Sequence, residues 1–235
     1  MGRAARIALI VSAALASVAF LALAAWQVQR LGWKLDLMAR VEARLKAEPV
    51  APPPPGAAVT KDDEYRRLWL HGSFEPREVL VQATTELGGG HWVLAPLRLD
   101  DGSTVLVNRG FVPPEQRAPA QHAAPSGPVA LIGLLRLTET GGGPLRANVP
   151  AEGRWYSRDV AGIVAQLALA GPVAPYFVDE AADAAQPQRW PRPGLTVVRF
   201  TNNHAVYAAT WLALAAMAAA AAGYLVREER RRVPA

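Results

Sequence analysis

Residues 7–26 read IALIVSAALASVAFLALAAW, twenty positions without a charge, and residues 205–226 read AVYAATWLALAAMAAAAAGYLV, twenty-two more. At about 1.5 Å of rise per residue, either run as a helix covers roughly 30 Å, the thickness of a bilayer hydrocarbon core. Trp26, Tyr207, Trp211 and Tyr224 lie near the ends of these runs, and arginines flank both, as suits the two water interfaces of a span. A buried alanine-rich core helix competes for the second run, although its length argues against that. A secretory signal competes for the first, because Arg3 and Arg6 precede it and Ala22-Leu23-Ala24 is a small-residue cleavage pattern. Signal cores usually run about 7–15 apolar residues, so an uncleaved anchor is expected.

Two spans put both termini on one side. The tail at 227–235 opens with Arg227-Glu-Glu-Arg-Arg-Arg232, short and basic, and is expected to stay cytoplasmic together with residues 1–6. Residues 27–203 then form an outer domain, since long segments translocate largely regardless of charge. The expected order is a cytoplasmic start at 1–6, a span at 7–26, the outer domain at 27–203, a second span at 204–226 and the tail.

The rest of the composition narrows the chemistry. The 235 residues include no cysteine, which excludes disulfides, thiolate metal sites and covalent Cys-x-x-Cys-His haem attachment. Net charge is +5, but six arginines and two glutamates at the ends supply most of the excess. Nucleic-acid binding is not expected, because that excess is not spread over a folded face.

Within the outer domain, Gln27–Glu48 continues as a helical stalk, and residues 51–58 around Pro52-Pro-Pro-Pro55 read as a stiff extended spacer. Strand signals follow at Tyr65–Phe74 and Glu78–Ala83, which suggest a hairpin around Glu75-Pro76. Trp92–Leu99 and Thr104–Val112 flank the turn Asp100-Asp101-Gly102-Ser103, with Pro96 demoting the first to an edge or bulged position. Val129–Leu137, Pro175–Asp179 and Leu195–Thr201 complete the strand set, and Gly88-Gly-Gly90 reads as a flexible tip. Ser157–Leu169 is the one helix, with Ser157 as its cap. The fold class is α+β: an antiparallel sheet or partly closed barrel of six to eight strands, one packed helix and two transmembrane helices.

Catalytic signatures are missing: no Gly-x-Ser-x-Gly elbow, no phosphate loop, no His-Glu-x-x-His pair. A membrane-anchored hydrolase is therefore disfavoured. His71, His91 and His122 occupy ordinary strand or loop positions. His204 differs because it stands at the outer mouth of the second span. At about 100° per residue, Trp211 lies about 20° from it around the helix and Tyr207 about 60°. An imidazole followed by two rings can ligate haem iron and pack a flat macrocycle; it can equally be an interfacial aromatic belt with a capping histidine. Trp26 and Arg30 leave the first span at the same membrane face. Arg30 there can answer a haem propionate or a lipid headgroup, and its like-charged spacing with Lys34 needs an explanation.

Taken in order, three motifs resemble the Surfeit locus protein 1 family: Trp26-Gln27-x-x-Arg30-x-x-x-Lys34, Val107-Asn108-Arg109-Gly110-Phe111-Val112, and Asn202-Asn203-His204-x-x-Tyr207-Ala-x-Thr210-Trp211. Gly72-x-Phe74, Tyr156-x-Arg158-Asp159 and Pro193-Gly194-x-Thr196 add to the resemblance, which covers nearly the whole chain. Ala24 stands where the family usually has glycine. The resemblance implies an assembly factor for haem–copper (aa3-type) cytochrome c oxidase in the plasma (inner) membrane of a bacterium. It further implies haem a as a non-covalent cofactor, taken from haem A synthase and passed to oxidase subunit I. The iron ligand falls on His204, with Tyr207, Trp211, Trp26 and Arg30 as further cofactor contacts. A scaffold that docks oxidase subunits without touching haem is the alternative.

Overall fold

A computed structural model describes residues 2–142, 146–196, 198 and 200–232. It resolves into two units, residues 1–40 with 199–235, and residues 41–198.

The first unit is built on helices. Helix α1 runs unbroken over Arg3–Lys46, through both the first apolar run and the polar stretch behind it, and its last turn belongs to the second unit. The C-terminal helix covers His204–Arg232. Both are long and apolar enough to cross a membrane, and each exposes large apolar side chains outward. Ile7, Leu15, Val18 and Leu21 on one helix, and Val206, Leu212 and Met217 on the other, stand 49–67% exposed where a soluble helix would bury them. This protein is membrane-anchored.

The second unit is a six-stranded sheet that curls on itself. Its strands are β1 Arg67–Phe74, β2 Val79–Thr85, β3 Gly88–Leu99, β4 Thr104–Val112, β5 Pro128–Leu137 and β6 Val173–Glu180. Their order is β1-β5-β6-β4-β3-β2, and an added β1–β3 pairing closes five of them into a ring with β2 laid against β3. Closure is local: Gly72, Ser73 and Phe74 of β1 pair with Leu99, Arg98 and Leu97 of β3. Gly72 permits it, because a Cβ there would lie 2.1 Å from the Arg98 carbonyl oxygen.

Strand β4 shows why a barrel forms. Its run Thr-Val-Leu-Val-Asn-Arg-Gly-Phe-Val is buried at every position. Val105 and Val107 point into the ring with Leu68, Leu70, Leu97, Leu135, Tyr176 and Val178. Leu106 points out, into a second cluster with Val81, Leu94, Phe177, Trp155 and Ile163. Period-two alternation thus feeds two cores, one inside the ring and one under helix α2 (Val160–Gln166).

Several sequence expectations change. Strands β1 and β2 do not form a hairpin around Glu75-Pro76; β1 joins β5 and β3, and β2 lies across β3. Strands β4 and β6 pair in parallel, so the sheet is mixed. Pro96 is tolerated in an interior strand because β2 leaves β3 at Leu94 and β1 joins it at Leu97. The bulge falls instead between Trp92 and Leu94. The three glycines 88–90 are not a loose tip but the start of β3, paired to Ala83–Thr85. Asp159, not Ser157, caps α2, accepting from the Gly162 amide, while Ser157 Oγ accepts from Gly142 and Asn148. Residues 195, 196, 198 and 200 carry no strand, and 197 and 199 lie outside the described residues. The Asp100–Ser103 turn stands as expected, its Asp101 carboxylate accepting from the Ser103 amide and hydroxyl.

The proline-rich segment is tied to the barrel rather than standing free. Val50 bridges to Leu68, and the Tyr176 hydroxyl donates to the Pro53 carbonyl at 2.8 Å.

Candidate functional site

We name the C-terminal helix His204–Arg232 α3. Its contacts with α1 follow one antiparallel seam. The His204 ring Nδ1 lies 2.7 Å from Gln27 Oε1, Trp211 stacks on Phe20 at 5.6 Å between ring centroids, and Ser17 Oγ donates to the Ala215 carbonyl. Ala24 and Ala208 are buried between those levels. On α1 the seam steps through 17, 20, 24 and 27, and on α3 through 204, 208, 211 and 215. This three-and-four spacing keeps one stripe of each helix against the other. Small residues let the backbones approach, and at the other end Arg6 pairs with Glu229 at 3.0 Å.

This seam sorts the residues expected at the site. His204 and Gln27 come together, with Gln27 only 8% exposed in an otherwise apolar setting. His204 is partly exposed, and its Nε2 makes no hydrogen bond among the described residues. Trp211 lies on the seam but is occupied by Phe20, and its indole N–H has no partner among the described residues. Tyr207, about 60° off His204, falls outside the stripe and is exposed, as is Trp26. The expectation of one continuous His204–Tyr207–Trp211 face is therefore corrected: two of the three turn inward against α1. Arg30 stacks over Trp33 at 4.8 Å and Lys34 over Phe200 at 5.0 Å. Cation–π contacts hold these like charges on separate rings.

A residue that can take iron, His204, is present at the end of the seam formed by Gln27 and His204. An imidazole whose Nε2 has no hydrogen bond among the described residues, partly exposed beside apolar and aromatic side chains, fits a haem ligand in residue chemistry. Gln27 was legible only as a motif neighbour; its role as the ring's partner appears once α1 and α3 are paired.

The barrel holds a polar cluster that joins residues from three of the quoted motifs, Asn108, Arg158 and Thr196, around Asp179, which lies outside them. Asp179, 2% exposed, accepts hydrogen bonds from Asn108 Nδ2 at 2.7 Å, Arg136 at 2.8 Å, Thr196 Oγ1 at 2.9 Å and Arg158 at 3.2 Å. Both guanidiniums also lie against the Phe177 ring, and each reaches a glutamate, Arg136 to Glu64 and Arg158 to Glu139. Burial pushes the Glu139 carboxyl up, but the hydrogen bonds and charge of Arg158 outweigh it and hold Glu139 below the ordinary carboxylate range. A 240 Å³ cavity opens beside this cluster, lined by Thr84, Trp92, Arg136, Arg158 and Asp179 among others. Two cations against three carboxylates, mutually bonded, make a structural lock with little capacity left for a ligand.

Arg109 and His122 are buried too. Arg109 donates to the His122 and Ala123 carbonyls, and the His122 ring is held at both nitrogens by Gln116 and Glu78. The Val107–Val112 motif is thus an organiser of the 113–127 loop. Among the described residues no group of three His, Cys, Asp or Glu side chains could hold a metal ion.

Comparison with known proteins bears on the whole chain. The SURF1 family model matches residues 14–216, taking in the barrel and part of each apolar helix. Surfeit locus protein 1 of Homo sapiens is 36% identical over 216 residues, covering 83% of this chain and 69% of that protein. The Rattus norvegicus protein of the same name is 34% identical over 232 residues, covering 90% and 72%. A SURF1-like protein of Monosiga brevicollis is 33% identical over 221 residues, covering 88% and 83%.

Proposed function

This chain belongs to the SURF1 family, and from that membership we propose that it is an assembly factor for haem–copper (aa3-type) cytochrome c oxidase. In this reading it holds haem a at the outer end of its transmembrane helix pair, receives it from haem A synthase and passes it to oxidase subunit I. It sits in a bacterial plasma membrane with both termini cytoplasmic and residues 27–203 periplasmic. It acts as a carrier, without turnover.

The observation that carries the haem reading is His204. It opens α3, is partly exposed, and leaves Nε2 without a hydrogen bond among the described residues. When bound, haem a supplies the redox-active iron that the oxidase needs; the carrier's residues only ligate, shield and release it. The exposed rings of Trp26 and Tyr207 are apolar surface for a macrocycle. Arg30, a cation held over Trp33, is available to a propionate. Single-point, non-covalent ligation also suits a protein that must give its cargo away.

The test is an absorption spectrum of the full-length protein purified from cells that make haem a. The wild type is expected to carry that haem, and His204→Ala to lose it while the barrel remains folded. A colourless wild type, or full haem occupancy in His204→Ala, overturns the ligand assignment. Retained association of the colourless protein with subunit I would then identify a docking scaffold.

A further inference from the structure

We infer that Gln27 is the positioning residue for His204: its amide oxygen accepts the proton of Nδ1 and so fixes the ring in the tautomer that presents the Nε2 lone pair. This rests on the haem reading for what Nε2 binds, but the tautomer itself stands on the helix pair alone.

The argument begins with burial. Gln27 is 8% exposed on the apolar seam, where an amide without a partner is costly. Among the described residues its side-chain oxygen has one partner, the His204 ring at 2.7 Å, across 177 residues of sequence. A neutral imidazole carries a single N–H, and an amide oxygen can only accept. The proton therefore resides on Nδ1, and Nε2 is left as the basic nitrogen. In water a histidine side chain prefers the opposite tautomer, so the seam selects the form that suits a metal.

A second consequence is mechanical. His204 opens α3, where helical hydrogen bonding restrains it least, so its ring needs an external anchor. Gln27 provides one from α1, which makes ligand orientation depend on helix pairing. Outer partners of ligating histidines typically alter metal affinity by about 10–100-fold when removed. An amide does this without burying a charge in the seam. A carboxylate in its place would make the imidazole a stronger donor and favour oxidised iron.

The experiment uses the full-length protein in detergent, with ¹⁵N-labelled histidine and His204→Ala to assign the ring signals. In haem-free wild type at neutral pH, His204 is expected to carry its proton on Nδ1; in Gln27→Leu the proton moves to Nε2. Loaded with haem a, Gln27→Leu is expected to bind about 10–100-fold more weakly. Gln27→Glu is expected to keep its haem with a lowered midpoint potential, and this variant carries the test if the leucine variant fails to fold. A wild-type ring protonated on Nε2, or Gln27→Leu and Gln27→Glu matching wild type in tautomer and potential, overturns the assignment. Full haem occupancy in His204→Ala defeats the haem reading instead, while the nitrogen spectrum still decides the role of Gln27.

Discussion

Asp179 in the barrel takes hydrogen bonds from four side chains, whereas Gln27 in the helix pair has one side-chain partner among the described residues. Both are buried polar groups in apolar surroundings, and the difference is in how much else holds them. Asp179 is fixed from β4, β5, the segment before α2 and Thr196, so no single donor decides its position. Gln27 and His204 decide each other. A region satisfied many times over keeps its shape; a region satisfied once can exchange a partner for a ligand. The contrast suggests that the barrel supplies rigidity and the helix end supplies exchange.

The largest expected effect tests the barrel side. Asp179→Ala removes the acceptor shared by Arg136 and Arg158 and leaves two buried guanidiniums short of charge. A loss of roughly 3–5 kcal/mol is expected, read by chemical denaturation with tryptophan fluorescence. A loss below 1 kcal/mol would mean that the cluster is not a lock. Next comes closure of the ring. Gly72→Ala forces a methyl group against the Arg98 carbonyl, and about 1–3 kcal/mol should be lost as β1 and β3 separate. Protection of the β1 amides against hydrogen exchange should fall most at residues 72–74.

The helix pair should respond more gently. Ser17→Ala deletes a second side-chain hydrogen bond across the seam, at about 0.6 kcal/mol by the average for such bonds in membranes. Thermal stability in detergent should barely move, and a large loss would show that the seam is as over-determined as the barrel. The smallest effect concerns acid. Burial, helped by the charge of Arg117, pushes the His91 imidazole below its usual range, so the fold favours its neutral form. The stability it contributes is complete above the unfolded value near 6.5 and is lost as pH falls through the folded value. His91→Gln should flatten the slope of stability against pH below about 6.5, and an unchanged slope would mean that the ring protonates freely.

How far these features could be read from the sequence depends on the range of the interactions that create them. The apolar runs and the Asp100–Ser103 turn are local chemistry, and they were legible. The β4 run was legible as a strand, but its neighbours were not: adjacency in sequence suggested a β1–β2 hairpin, while burial of two faces required β1 to reach β5 and β3. Pro96 looked disruptive because a proline is costly where an amide must donate; the gap between two neighbouring strands removed that demand. At the candidate site, His204 stood out in the sequence by its position at the start of the second apolar run. Tyr207 stands apart from Trp211 because 60° around a helix is enough to leave a narrow seam. Gln27 could have been found by asking what an amide in helical register with the apolar run would bond to.

Gly72 also has a meaning in time. Strand β1 ends at residue 74, but its β5 partner begins at 128, and the ring is completed only when β6 has been made through Glu180. Until then the β2–β3–β4 meander can assemble by itself, while one side of β1 remains an unpaired edge open to any passing strand. The protein is thus most vulnerable to wrong pairing during synthesis, after its first span has emerged and before its second exists. Holding β1 against the end of β3 at Gly72 offers that edge an early, short attachment inside the same chain, where its own strands can reach it before a stranger's do.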